Sequence, residues 1–395
     1  MVQVARREAP GALADLSVHL VGDHGLLLDS GRDRLYALNS GAAQIWSLLK
    51  AGKSPAEISR ALTEAFGVSN RTASSWIADV LRQHEALRDG AACPPPSQSP
   101  TATVLHPSRR PAAAAVSESY ELLGRTFHVH YAEPRLAREI RPLLRSLARV
   151  NDGMAGATGV NMTVASEKRC VIVVVDRQVV ARATTLAEAA VTVRACLTEL
   201  AVAASGGLCV VHAGALARDD AALLLPGEAG DGKSTLSAGL AARGFAMLSD
   251  DTTLLMDAPP LVRCLPTGLC LKRGACAVLG SLFPHLASLA EWRRPDGRQA
   301  RYLMPGDVAW AAPDTALAVR WMVFPRYHPD HVTALQPLAR HEALARLLRG
   351  VYFLSGSLDP QGLDSLIRWI DDVDCYELPL SSLDAAAELL DRLCR

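Results

Sequence analysis

A glycine-rich phosphate-binding loop is the clearest chemical signal in the sequence. The run Gly227 to Ser234, GEAGDGKS, fits the pattern G-x-x-x-x-G-K-[ST] and lies between an apolar run, ALLLP, and an Ala-rich amphipathic stretch. Such glycines let backbone N–H groups converge on phosphate oxygens at a helix N-terminus. We expect Lys233 to neutralise phosphate charge and the Ser234 hydroxyl to bind Mg²⁺. The plainer alternative is a glycine turn that only caps a helix. The predicted nucleotide-binding residues are Gly227, Glu228, Ala229, Gly230, Asp231, Gly232, Lys233, Ser234 and Thr235.

Two adjacent carboxylates follow this loop. Asp250 and Asp251 end the short strand-like run FAMLS, 17 and 18 residues after Lys233. At the end of a strand beside the loop, one carboxylate could hold the metal while the other accepts a proton from an attacking hydroxyl. A solvated pair that begins a turn is the alternative.

A histidine is the third candidate. His212 ends the apolar run LCVV, and a hairpin that turns at 218–220 then leads back into the loop. This hairpin would bring His212 near the nucleotide phosphates. A histidine on an apolar strand is more often a core residue, so both interpretations stay open.

The elements that position these residues can be predicted from periodicity. Residues 1–90 contain three strand-like runs and then three helices, which begin near Ser40, Ser54-Pro55 and Asn70. Residues 91–116 contain six prolines and form a linker. In 117–395, we expect one strand over 120–131, a helix over 134–150, a hairpin over 168–183, a helix over 186–205, alternating strands and helices around the loop, and a helical C-terminal end. The predicted class is α/β.

Composition excludes several functions. The 395 residues carry 41 Lys plus Arg and 41 Asp plus Glu, which disfavours a nucleic-acid binder. The apolar runs are too short to span a bilayer and the first residues lack a signal core, so we expect a cytoplasmic protein without membrane association. Nine cysteines without a C-x-x-C pair favour reduced thiols over disulfides or zinc.

Together, His212, the loop with Thr235, and Asp250-Asp251 resemble the HPr kinase catalytic domain, whose fold is shared with ATP-dependent phosphoenolpyruvate carboxykinase. The resemblance covers roughly 120–395. It implies that Asp251 is the general base, that Asp250 and Ser234 bind the metal, and that His212 helps to position the phosphate. It also implies ATP and Mg²⁺, and it is compatible with a homo-oligomer.

One segment departs from that family. The acidic, Gly-rich signature of true HPr kinases has no clear match, and CLPTGLCLKRGACAVLG stands in its place. This variant is similar to HPr-kinase-related enzymes of peptide natural-product clusters, of the lasso-peptide type. By that resemblance Lys272 would supply a catalytic cation, and Arg320, Arg326 and Tyr327 would line the acceptor side, although each could simply be exposed.

The N-terminal block, about 16–87, is similar to the PqqD family, a small winged-helix-like domain that recognises leader peptides. Members bind an extended leader as an added strand on the sheet edge. DNA binding is the alternative for a winged helix, but the last helix offers only Arg71 and Arg82 as cations.

The sequence therefore predicts a kinase that phosphorylates a Ser hydroxyl on a ribosomally synthesised precursor peptide. Its partners would be the leader and core of that peptide. Two rivals remain: a small-molecule kinase with a regulatory N-terminal domain, and a non-catalytic adaptor that binds leaders.

Overall fold

The computed structural model describes residues 16–21, 24–29, 34–88, 114–149, 159–256, 260–348, 351–353 and 360–395. Its elements are β1 Leu16–Val21, β2 His24–Asp29, β3 Arg34–Leu38, α1 Ser40–Lys50, α2 Pro55–Phe66, α3 Asn70–Arg88, β4 Val116–Leu122, β5 Arg125–Tyr131, α4 Pro134–Leu144, β6 Ala148–Arg149, β7 Val160–Glu167, β8 Cys170–Val175, β9 Gln178–Ala183, α5 Leu186–Ala203, β10 Cys209–Val211, β11 Ala213–Arg218, β12 Ala221–Pro226, α6 Lys233–Ala241, β13 Ala246–Ser249, β14 Thr253–Leu255, β15 Leu261–Arg263, β16 Leu269–Lys272, α7 Arg273–Leu279, a 3₁₀ helix Pro284–Ser288, β17 Trp292–Arg293, β18 Gln299–Leu303, β19 Ala316–Tyr327, β20 Gln336–Pro337, α8 Arg340–Leu348, β21 Val351–Phe353, α9 Pro360–Ile370, β22 Asp374–Leu380 and α10 Leu383–Leu393.

The described residues divide into two compact units. The first contains those within 1–97 and 338–375, and the second those within 98–337 and 376–395. This division differs from the domain predicted at 117–395, because α8 contacts β2 and β3 and α9 contacts β1. The contacts of α8 and α9 with the N-terminal strands could not be predicted from the sequence, because these segments are far apart along the chain.

The first unit is built on the antiparallel sheet β1-β2-β3. Leu27 joins the core formed with α1, α2 and α3. Since neighbouring strand residues point to opposite faces, Leu26 and Leu28 lie on the other face, yet they are also buried. On β1, the buried His19 makes a contact of 2.6 Å with Asp364 of α9. The sheet is therefore covered on both faces.

The predicted order of three strands and three helices is confirmed. The start of α1 differs by one residue, because Asn39 rather than Ser40 is the N-cap and its Oδ1 accepts the N–H of Ala42 at 2.8 Å. Helix α2 begins as predicted, with Ser54 and Glu57 in a capping box.

In the second unit, a six-stranded sheet has the order β6-β4-β5-β7-β8-β9. The single strand predicted over 120–131 is wrong: β4 and β5 form a hairpin whose turn, Leu123-Gly124, has positive φ at both residues. The hairpin of β8 and β9 is confirmed, whereas the predicted helix over 134–150 ends at Leu144. Most of the predicted linker lies outside the described residues, and Val116 already belongs to β4.

The second large sheet follows the order β13-β11-β12-β19-β15-β14-β10, and β22 pairs with β19. A third sheet, β16-β18-β17, lies apart from it. The C-terminal end that was expected to be helical contains α8, α9 and α10, but residues 351–353 within it form β21. Among the described residues, none of the helices combines the length and apolar character that crossing a membrane requires.

Candidate active site

Strand register brings the glycine-rich loop, His212 and the acidic pair to one end of the sheet. Pro226, the last residue of β12, pairs with Ala213 at the start of β11, and Ser249 at the end of β13 pairs with Ala215. The glycine-rich loop follows Pro226, His212 precedes Ala213, and the acidic pair follows Ser249. The predicted candidates therefore meet although they are distant in sequence.

The loop has the backbone of a phosphate cradle. Gly230 and Gly232 have φ values of 113° and 89°, which residues with a Cβ rarely adopt. The ammonium of Lys233 donates to the carbonyls of Gly227 and Glu228 at 2.7 and 2.8 Å. Burial lowers the pKa of Lys233, and the carboxylate of Asp251 opposes this shift.

Asp250 is buried and held at both oxygens. Ser234 Oγ donates to Oδ1 at 2.9 Å, and the backbone N–H of Cys270 donates to Oδ2 at 2.8 Å. Burial, followed by the negative charge of Asp251, raises the pKa of Asp250 to about 6. A buried carboxylate joined to the loop hydroxyl is a suitable oxygen ligand for a hard cation.

Asp251 projects from a tight turn. Its φ is 66°, and Thr252 N donates to Asp250 O at 2.7 Å, which is the strained form of a three-residue turn. The side chain is 43% exposed. Asp250 and Asp251 thus occupy different environments, one buried beside Ser234 and the other open to solvent.

His212 joins the acidic pair to the loop. Its Nδ1 lies 3.0 Å from the Asp251 carbonyl and 3.3 Å from Asp251 Oδ1, and Lys233 Nζ lies 3.2 Å from its Nε2. These contacts fit a neutral imidazole that carries its proton on Nδ1 and accepts from Lys233. His212 is half-exposed at the site, so it is not a core residue.

The more distant candidates divide into two groups. Lys272 lies at the end of β16, within electrostatic range of Lys233, and Tyr327 N donates to Asp231 O at 3.3 Å. Arg326 instead pairs with Glu377, and Arg320 lies over the Trp321 ring. The structure therefore brings Lys272 and Tyr327 to the loop, and it engages the two arginine side chains elsewhere.

Sequence reasoning missed two arginines. Arg294 Nη1 donates to Cys270 Sγ at 3.2 Å, so its guanidinium contacts the same residue whose backbone N–H holds Asp250. Arg194 of α5 is within electrostatic range of Asp250. The Asp-Gly sequence after Arg294 is typical of a hairpin turn. The strand that this hairpin pairs with, and its place beside the acidic pair, could not be predicted from the neighbouring residues.

The residues present suit a magnesium nucleotide. Among the described residues, no group of three or more His, Cys, Asp or Glu side chains could hold a metal ion by itself. Mg²⁺ usually takes only one or two protein ligands and completes its shell with phosphates and water. Ser234 and Asp250 supply such a pair of oxygen donors.

Comparison with known proteins identifies part of the chain. Residues 25–88 match the family model described as "Coenzyme PQQ synthesis protein D (PqqD)". These residues form a PqqD domain. The match spans β2, β3 and the three helices of the first unit, which confirms the resemblance drawn from the sequence.

A solved structure, of "the Hpr(Ser) kinase/phosphatase from Coxiella burnetii", is also similar to this chain. It is 14% identical, covers 47% of this chain and 94% of that chain, and has a TM-score of 0.21. Superposition at that level carries no argument about activity. A search of curated proteins finds no match.

Proposed function

We propose that this protein is an ATP- and Mg²⁺-dependent kinase that phosphorylates a Ser hydroxyl of a ribosomally synthesised precursor peptide. One observation carries the proposal: hydrogen bonds join Lys233 to His212, His212 to Asp251 and Ser234 to Asp250, so the loop, the histidine and the acidic pair meet at one site. The PqqD domain supports a peptide substrate, because domains of this family bind peptide leaders.

Each residue has a chemical role in this proposal. The loop N–H groups and Lys233 bind the β- and γ-phosphates, and Ser234 and Asp250 hold the metal. Bound Mg²⁺ would neutralise charge on the transferring phosphoryl group. Asp251 accepts the proton as the acceptor oxygen bonds to the γ-phosphorus and the bond to the ADP oxygen breaks. His212 orients Asp251 through its carbonyl.

Tethering explains the combination of a peptide-binding domain with a kinase site. A leader bound by the PqqD domain raises the effective concentration of the acceptor near Asp251. Affinity for the acceptor itself can then be low. Leader loss should raise KM much more than it lowers kcat.

The first experiment measures transfer of labelled phosphate from ATP to a Ser-containing peptide. Lys233→Met removes the ammonium while keeping an unbranched side chain in a buried position. Phosphate transfer should fall at least about 10²-fold, since the lost charge interaction acts in the transition state. Lys168→Met, on the exposed turn between β7 and β8, is the matched control. Equal rates for wild type and Lys233→Met would remove the loop from the mechanism.

The second experiment tests leader recognition in the full chain. Residues 1–90 alone are unsuitable, because α8 and α9 complete the unit. A candidate precursor is tested with and without its leader, and free leader is added as a competitor. We expect a raised KM without leader and inhibition by free leader. Identical kinetics in all three conditions would contradict the recognition role.

A further inference from the structure

The small sheet beside the acidic pair has an unusual charge. Residues 269–303 contain six cationic side chains and two acidic ones, whereas the whole chain has 41 of each sign. We call the six the basic patch: Lys272, Arg273, Arg293, Arg294, Arg298 and Arg301. Four of them lie in the hairpin of β17 and β18 or its turn, and three of these four fall within the run RRPDGR.

Strand register places this hairpin at the candidate site. Lys272 pairs with Ala300, and Ala300 pairs with Trp292, so these positions share one face of the sheet. The same face carries Cys270, whose Sγ accepts from Arg294 and whose N–H holds Asp250. Arg294 is also within electrostatic range of Asp251. The hairpin therefore adjoins the carboxylate assigned as the base.

The outer members of the patch are available to a partner. Arg293 and Arg298 are exposed, and within the described part of the chain neither side chain makes an ion pair. Asp296 is the acidic residue of the turn, and it lies 3.5 Å from Arg294 Nε while accepting the backbone N–H of Arg298. Two positive charges thus remain uncompensated at the rim.

The patch suits a peptide better than a nucleic acid. Binding of single strands relies on exposed aromatic rings on which bases stack. Trp292 and Tyr302, the aromatic residues of this hairpin, are 8% and 3% exposed. On the neighbouring α7 and after it, Val278 and Leu282 are 54% and 40% exposed, which offers apolar contact to a peptide side chain.

We infer that the hairpin of β17 and β18 is an acceptor-docking element that recognises acidic side chains next to the phosphorylated hydroxyl. This inference rests on the proposed kinase function and names its substrate class. Charge complementarity is the basis: peptide carboxylates would pair with Arg293 and Arg298 while the hydroxyl lies near Asp251. Exposed pairs of this kind are individually weak, so the preference depends on several charges and on ionic strength.

The test uses fluorescein-labelled synthetic peptides that contain one Ser and differ only in flanking Asp, Asn or Lys residues. Anisotropy measures their binding to the full chain at low and high salt. We expect the Asp peptide to bind about ten-fold more tightly than the Asn peptide at low salt, with most of the difference lost at high salt. A single-stranded oligonucleotide of equal charge is a further probe.

The variant is Arg293→Glu with Arg298→Glu, two exposed positions. The ratio of affinities for the Asp and Asn peptides should fall about ten-fold, and the Lys peptide should become the preferred one. The matched control, Lys168→Glu with Arg169→Glu, makes the same charge change on the exposed turn between β7 and β8. It should keep the wild-type ratio.

Phosphate transfer to the same peptides separates the two hypotheses. Preference for Asp in binding without transfer to any peptide would refute the kinase function and leave the docking element standing. Transfer without any preference, or a preference that survives the Arg293 and Arg298 changes, would overturn the docking inference. Tighter binding of the oligonucleotide than of the Asp peptide would also overturn it. If the Arg293 and Arg298 changes altered only the KM for ATP, the hairpin would contact the nucleotide rather than the peptide, and the docking inference would be overturned.

Discussion

Replacing Asp250 with Asn should stabilise the protein and inactivate it. In the folded chain the Asp250 carboxyl has a pKa of about 6, raised by burial from a usual 3.8. The folded state therefore binds this proton more tightly than the unfolded state. Between about pH 4 and about pH 6 this carboxyl is ionised in the unfolded chain but still mostly protonated in the folded one, so stability is lost as the pH rises. Above that range the loss is complete.

The size of the effect follows from the pKa difference. About two pH units correspond to about 3 kcal/mol at pH 8. Asn reproduces the protonated acid, because its oxygen can accept from Cys270 N–H and its amide can donate to Ser234 Oγ. Asp250→Asn should thus raise the melting temperature by about 6–12 °C at pH 8 and by almost nothing near pH 4.

Scanning calorimetry at both pH values measures this difference. Addition of Mg²⁺ and ATP provides the second readout, since wild type should be stabilised by ligand and Asp250→Asn much less so. Equal melting temperatures at pH 8, or a gain that does not change with pH, would refute the ionised buried carboxylate. A variant that responds to Mg²⁺ and ATP like wild type would refute the metal role.

Four shorter predictions concern the same molecule. Wild-type turnover should fall as pH drops through about 6, where Asp250 is protonated, in a pH–rate profile. Asp251→Asn, which tolerates the positive φ, should cut kcat about 10²–10⁴-fold in single-turnover assays at unchanged nucleotide affinity; normal rates would exclude it as the base. His212→Ala should lower turnover with little change in melting temperature, whereas a large loss of stability would indicate a core role. Leu363→Ala in α9 should destabilise the first unit by about 2–5 kcal/mol in urea unfolding and weaken leader binding; loss of nucleotide binding instead would contradict the grouping of α9.

Local chemistry made most of the elements predictable. The capping box of Ser54 and the loop at 227–234 each depend on residues a few positions apart. The turn at Leu123-Gly124 escaped prediction because leucine seldom adopts positive φ, so an interrupted strand looked continuous. The strand over 351–353 was missed because apolar residues in a short run fit a helix equally well.

The candidate site shows the same limit. The positions of Lys233, Asp250 and His212 could be anticipated because one short hairpin, the loop and one helix connect them. Arg294 and Arg194 could not, since their approach to the acidic pair depends on pairing in a separate sheet and on the placement of α5. Long-range packing of this kind leaves no periodic trace in the sequence.

Burial of β2 on both faces of its sheet also affects folding during synthesis of the chain. Leu26 and Leu28 leave the ribosome early, but α8 and α9, which complete their unit, follow more than 240 residues after position 97. At 5–20 residues per second, roughly 14–56 s pass between synthesis of residue 97 and residue 375. During that interval one face of the β1-β2-β3 sheet has no native partner, so chaperones can bind it. If the N-terminal segment were fused to another enzyme without α8 and α9, that face of the sheet would remain without its native partner.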